Sequence, residues 1–167
     1  NSPLITTLKC NSNYLSTLNL GSNNNLENLY CQDNRLASLN LSALNNLRHL
    51  ECNGNNLTSL SVSNSPLLNY LACGSNQIST LSLNNNSKIE TLWCSSLNIF
   101  NSFSLDLTGV DSLKYLRCGG STSNNSILGM SNLNVSTNIK LLELDCSYNN
   151  LSQINLSNNI NLQVLNI

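Results

Sequence analysis

Seven cysteines are the residues of this chain best suited to chemistry, at positions 10, 31, 52, 73, 94, 118 and 146, with intervals of 21 residues four times and then 24 and 28. Thiolates bind zinc, exchange disulfides and attack electrophiles, and each use has its own spacing. Tetrahedral zinc sites draw on close Cys-x-x-Cys pairs, which these long intervals do not provide. Side chains held in one register run parallel, and seven is an odd number, so pairing between neighbours is disfavoured. The spacing therefore reads as a column of reduced, buried thiols, in which Cys acts as a small hydrophobe. The rest of the chain offers no reaction centre. It has one histidine, His49, no recognisable nucleophile motif and no Gly-rich phosphate loop. The expectation is a protein without catalytic residues, cofactor or metal, and Glu143 with Asp145 is not read as a metal site.

A repeat must position these cysteines. Aligned on them, the chain reads L-x-x-L-x-C-x-x-N-x-L-x-x-L-x-L followed by five mostly polar residues. Leu26, Leu29, Cys31, Asn34, Leu36, Leu39 and Leu41 make one such unit, and Leu47, Leu50, Cys52, Asn55, Leu57, Leu60 and Val62 make the next. The fifth unit carries three extra residues, an insertion at about 97–104 with Leu97 where Asn is due; the sixth carries seven, at about 119–132. The x-L-x-C segment alternates with a period of two, which is the pattern of a half-buried strand with Leu and Cys inward. Stacked in parallel at roughly 4.8 Å per rung, about eight rungs make a rod roughly 35 to 40 Å long. The second half, L-x-L, is too short for a helix. A fixed period of this length marks a solenoid, whose units bury their apolar faces only against one another. Asn13, Asn34, Asn55, Asn76 and Asn149 are read as structural, their amides satisfying backbone groups where the strand turns.

This motif resembles the leucine-rich repeat, and specifically the short 21-residue bacterial-type class called IRREKO, with Cys at the sixth motif position. The resemblance covers essentially the whole chain. It implies a right-handed, mainly β repeat solenoid of about eight rungs, with a parallel β-sheet on one face, short extended segments on the other and little or no helix. It also implies a secreted or cell-surface bacterial protein of adhesive type that binds other macromolecules on its strand face. Residues 1–167 read as a single solenoid. Asn1-Ser2-Pro3-Leu4-Ile5 matches Asn64-Ser65-Pro66-Leu67-Leu68, and the chain stops within a strand, so it reads as an uncapped segment of a longer protein.

Composition narrows the function classes. There are 35 Asn and 35 Leu, but Leu falls on core positions and Asn largely on turns, so this is an ordered chain and not a low-complexity tract. Charged residues make up 9% and the net charge is -1, with no Lys/Arg run, so the basic footprint of nucleic-acid binding is not expected. No apolar run is long enough to span a bilayer.

Candidate binding residues emerge from the contrast between two outward surfaces. In the second half of each unit the outward residues are monotonous: Asn19, Asn40, Ser61, Ser82, Asp106, Asn134 and Asn155. The two outward columns flanking the central Leu of the first strand hold the only Trp, the only His and three of the five Tyr. Aromatic side chains with a polar tip give large contact area at small entropic cost and dominate binding hot spots. The candidate site is therefore Tyr30, His49, Glu51, Tyr70, Trp93, Tyr115, Arg117, Glu143 and Asp145. Glu27 beside Arg48, Glu90 beside Lys114 and Arg117 beside Asp145 are expected as cross-rung ion pairs. The insertions, with Phe100 and Phe103 in one and Ile127, Leu128 and Met130 in the other, either carry contacts or patch the core. The functional expectation is recognition of a protein partner; a glycan ligand, held on the Tyr/Trp ribbon, is the alternative, and a structural spacer is a third reading.

Overall fold

A computed structural model describes residues 4–21, 23–97, 104–120 and 129–167, which excludes Ile99, Phe100, Phe103, Ile127 and Leu128 of the insertions and Asn1 to Pro3. One parallel sheet of eight strands runs the length of the molecule. Its strands are β1 (Thr7–Lys9), β2 (Asn28–Tyr30), β3 (His49–Glu51), β4 (Tyr70–Ala72), β6 (Thr91–Trp93), β8 (Tyr115–Arg117), β9 (Glu143–Asp145) and β10 (Val164–Asn166). On the opposite side only β5 (Thr80–Leu81) and β7 (Ser104–Leu105) pair as strands, and no helix occurs among the described residues. Each sheet strand has three residues, because only x-L-x alternates before the chain turns inward at Cys.

Register follows the sequence clock. Leu29, Leu50, Leu71, Leu92, Leu116 and Leu144 are successive partners across the sheet, and each is fully buried. Burying one such side chain stabilises by about 1.5 to 3 kcal/mol. Beyond each strand the ladder continues through cysteine, whose amide donates to the next rung, as Cys31 N does to Glu51 O at 2.8 Å and Cys52 N to Ala72 O at 2.8 Å. The unit's second-half leucines, such as Leu36, Leu41, Leu57 and Leu83, close the core from the other side.

Asparagines hold the two turns. Asn55 donates from Nδ2 to Cys31 O (3.1 Å) and Cys52 O (3.0 Å), and its Oδ1 accepts from Leu36 N at 2.9 Å. Asn34, Asn76 and Asn149 repeat that pattern. Leu97 takes this place in the fifth unit, buried and bridged to Asn76. A second column, not anticipated from the sequence, lines the far turn. Ser65 Oγ donates to Leu44 O; Asn86 donates to Val62 O and Ser65 O, Asn138 to Val110 O, and Asn159 to Val135 O and Asn138 O.

The turn after six of the seven cysteines places a left-handed residue two positions on. Ser12, Asp33, Gly54, Ser75, Ser96 and Tyr148 all have φ between 51° and 64°. Gly120 is required for a different reason, since a Cβ there would lie 1.8 Å from the Tyr148 carbonyl oxygen of the next rung.

Six thiols are buried as expected, while Cys10 is half-buried because only one neighbouring rung covers it. Burial, reinforced by the adjacent Cys10, pushes the Cys31 thiol up to about 12. Burial alone does the same at Cys73, and burial raises Cys52, Cys94 and Cys118 as well.

Three outcomes follow from this core. A thiol reagent should label Cys10 first in the native state and the other six only after denaturation; rapid native labelling of several thiols contradicts the burial. The second concerns alkali. Below pH 9, the usual thiol value, both folded and unfolded chains hold the proton, whereas above it the unfolded chain ionises and the fold keeps Cys31 and Cys73 protonated up to about 12. Folded thiols with raised pKa therefore stabilise fully below the unfolded value and less as pH rises, by about 1.4 kcal/mol per thiol per pH unit. Urea midpoints at about pH 7.5 and about pH 10.5 measure this, and equal midpoints refute it. Finally, Asn55→Ala should destabilise by roughly 3 kcal/mol in urea unfolding, because buried carbonyls and an amide lose their partner.

Candidate functional site

The outward side of the sheet carries a continuous file of side chains. Registered strands bring Tyr30 opposite Glu51, His49 opposite Tyr70, and Trp93 opposite Arg117. His49 lies between two tyrosines: its ring is 4.9 Å from Tyr30, tilted by 37°, and 4.2 Å from Tyr70, stacked within 7°. Tyr70 meets Trp93 edge to face at 5.4 Å. Cations close both ends, with Lys9 Nζ 5.1 Å from the Tyr30 ring and the Arg117 guanidinium 4.9 Å from Trp93. Arg117 then binds Glu143 Oε1 through Nε at 3.0 Å and Nη2 at 2.9 Å. The file thus reads Lys9, Tyr30, His49, Tyr70, Trp93, Arg117, Glu143 across successive rungs.

Short strands make this file. With one inward Leu between two outward positions, every rung presents two side chains, and the inter-strand spacing of roughly 4.8 Å is close to the distance at which aromatic rings pack. The rings therefore contact each other along the rod. Their faces are engaged by neighbours: His49 by Tyr70, Tyr30 by Lys9, and Trp93 by Arg117.

Glu51 organises the centre. Its Oε1 lies 2.9 Å from His49 Nε2, and its Oε2 accepts from Gln32 Nε2 at 2.9 Å. Burial, and then the Glu51 carboxylate, push the Tyr70 phenol up to about 12, so that it stays neutral and able to donate. Beside Tyr70 lies an open hollow of about 410 Å³, with Ala72 and Gly74 among its lining residues and Tyr70, Trp93, Glu51 and Asp33 around it. It exists because Ala72 stands, in the same column, between Glu51 and Trp93.

Seven of the nine expected residues thus belong to one connected surface: Tyr30, His49, Glu51, Tyr70, Trp93, Arg117 and Glu143. Tyr115 is exposed but lies outside the ring contacts described above. Asp145 departs from expectation. Although it is the sheet partner of Arg117, its Oδ1 is taken by Ser147 N at 3.1 Å and Ser147 Oγ at 2.7 Å, and Arg117 reaches diagonally to Glu143. The local turn after β9 competes successfully for that carboxylate. The other expected pairs form, Lys114 to Glu90 at 2.9 Å and Arg48 to Glu27 at 3.9 Å; exposed as they are, such pairs contribute about 0 to 1 kcal/mol. Lys9, Gln32, Asp33, Ala72 and Gly74 were not among the candidates. The one sequence signal for the hollow is the small residue at 72 within a column of large ones.

The opposite face is occupied by its own backbone. Asn19, Asn40, Asn134 and Asn155 each accept from the amide two residues on. Asp106 does so too, and hydrogen bonds from the Thr108 amide and hydroxyl hold its carboxyl below the usual range. Among the described residues no group of three or more His, Cys, Asp and Glu is placed to hold a metal ion. No helix among them is long and apolar enough to cross a membrane.

No family model and no curated protein matches the chain. Solved structures do. The functional domain of InlJ from Listeria monocytogenes, described as including a cysteine ladder, is 36% identical with a TM-score of 0.86, covering 96% of this chain and 34% of that one. An internalin, InlF, from the same species is 24% identical (TM-score 0.80), covering 96% of this chain and 46% of that one, and supports the fold. Internalin C2 of that species agrees at 23% identity and a TM-score of 0.67, covering 98% and 81%. The chain spans about a third of the InlJ structure and under half of the InlF structure. The 21-residue period, the parallel ladder with its cysteine column and these neighbours together identify the chain as a leucine-rich repeat protein of the bacterial type.

Proposed function

We propose that this solenoid is a non-catalytic binding module of a secreted or cell-surface protein, and that it recognises a protein partner through the outward side of its parallel sheet. One observation carries the reading. Large aromatic and charged side chains form an unbroken file from Lys9 to Glu143 on that face, while the opposite face spends its polar side chains on its own turns. Pre-packed aromatic side chains lose little freedom when a partner covers them, which is what makes Tyr, Trp and Arg effective anchors. A glycan ligand would stack its sugar rings on exposed aromatic faces. In this file one face each of Tyr30, His49 and Trp93 is engaged by a neighbouring ring or cation, which favours a protein partner gripping ring edges and charges over sugar rings stacked along the whole file. Engagement of the single His by Glu51 and Tyr70, together with thiols held protonated by burial, supports a binding role over a catalytic one.

Trp93→Ala and Tyr70→Ala should each weaken binding to a cell-surface extract by roughly 2 kcal/mol or more, as hot-spot truncations do. Ser61→Lys and Ser82→Lys, on the other face, should leave it unchanged. Binding should survive enzymatic deglycosylation of the extract and disappear after protease treatment. Equal losses from both faces remove the case for a directional site, and the reverse enzyme sensitivity transfers the site to a glycan.

A further inference from the structure

The hollow beside Tyr70 has a chemical bias that the aromatic file does not share. Its lining sets two carboxylates, Asp33 and Glu51, against one cation, Arg117, with the hydroxyls of Tyr70, Ser75 and Ser95 able to donate or accept. Asp33 presents a carboxylate that makes no side-chain hydrogen bond or ion pair among the described residues, on a left-handed turn with φ 55°. Glu51 contributes a second carboxylate, fixed in orientation by His49 and Gln32. Because the Gln32 amide nitrogen faces Glu51, its Oε1 is left as a buried acceptor without a partner. The one lining cation, Arg117, has Nε and Nη2 committed to Glu143. Lys and Arg heads are cations that donate without accepting, and their aliphatic stems pack on apolar walls. Here those walls are Tyr70 and Trp93, and Ala72, almost fully buried, leaves room for the stem.

We propose that this hollow receives a cationic side chain, arginine or lysine, presented by the protein partner. The proposal deepens the reading of the sheet as a protein-binding face and rests on it for the identity of the partner. In the complex the stem lies against the aromatic walls and the charged head reaches Asp33 and Glu51. Arginine fits the spread of acceptors best, since its planar guanidinium offers five donors and stacks on aromatic rings.

The experiment uses the whole chain, labelled with nitrogen-15, titrated by amide chemical shifts with three capped tripeptides: Gly-Arg-Gly, Gly-Lys-Gly and Gly-citrulline-Gly. Citrulline keeps the shape of arginine and removes the charge. Saturable shifts centred on the amides of Ala72, Gly74 and Ser75 are expected with a cationic peptide, and binding about tenfold or more weaker with citrulline. Asp33→Asn removes charge while tolerating the left-handed turn, and should weaken the cationic peptide by a similar factor. Ala72→Leu fills the hollow and should abolish the shifts, with the dispersed spectrum of the remaining rungs reporting an intact fold. Equal binding of citrulline, no effect of Asp33→Asn, or shifts at those amides with a neutral chitotriose instead overturns the proposal. The two readings fail separately. A partner captured by the aromatic face and unaffected by Ala72→Leu sinks the hollow alone, whereas loss of the face contrast sinks the partner reading and leaves the peptide result standing.

Discussion

The amide of the asparagine three residues beyond the cysteine, seen at Asn34, Asn55, Asn76 and Asn149, is the contact on which the rest of this molecule depends. Each such side chain is buried among backbone groups of two successive turns of the coil. It donates to the carbonyls of its own cysteine and the preceding one, and accepts from the amide of a preceding-rung leucine, as Asn34, Asn55 and Asn76 do. Hydrophobic burial is non-directional and would tolerate a slip between rungs. A buried polar group is not so permissive, because displacing it strands a donor and an acceptor in a dry interior. The asparagines therefore convert a stack of leucines into a coil with one register. The thiol column and the outward columns inherit that register.

Both faces of the coil start from the same period and reach different ends. Behind the sheet, short polar side chains fold back on the amide two residues later and stabilise the tight turns that a 21-residue unit demands. On the sheet, the file's outward side chains are not drawn into turns as Asp145 is, so they are free to be large. Parallel strands then set them about one ring's packing distance apart, and seven rungs of unrelated residues become one surface. An aromatic file whose rings pack on one another and on flanking cations is a different object from a row of isolated rings. It offers edges and charges, and Ala72 beside it becomes a recess because its column neighbours, Glu51 and Trp93, are large.

The sequence by itself determined the repeat, the strand positions, the inward cysteines and the first asparagine column, because each of these recurs at a fixed place in the unit. It also placed Tyr30, His49, Tyr70 and Trp93 on a common face, since register turns a column in the alignment into neighbours in space. What only the tertiary structure decided is how outward side chains choose among partners at similar distance. Arg117 had Asp145 as its sheet partner and Glu143 on the diagonal, and the outcome turned on Ser147, whose amide and hydroxyl claim Asp145 first. The second polar column, Ser65, Asn86, Asn138 and Asn159, was hidden because its positions alternate with Leu44 and Val110, so no single residue type marks it. The hollow escaped for a related reason. A recess is defined by what its neighbours are rather than by what it contains, and alanine in a strand carries no signal until the rungs on either side are in place.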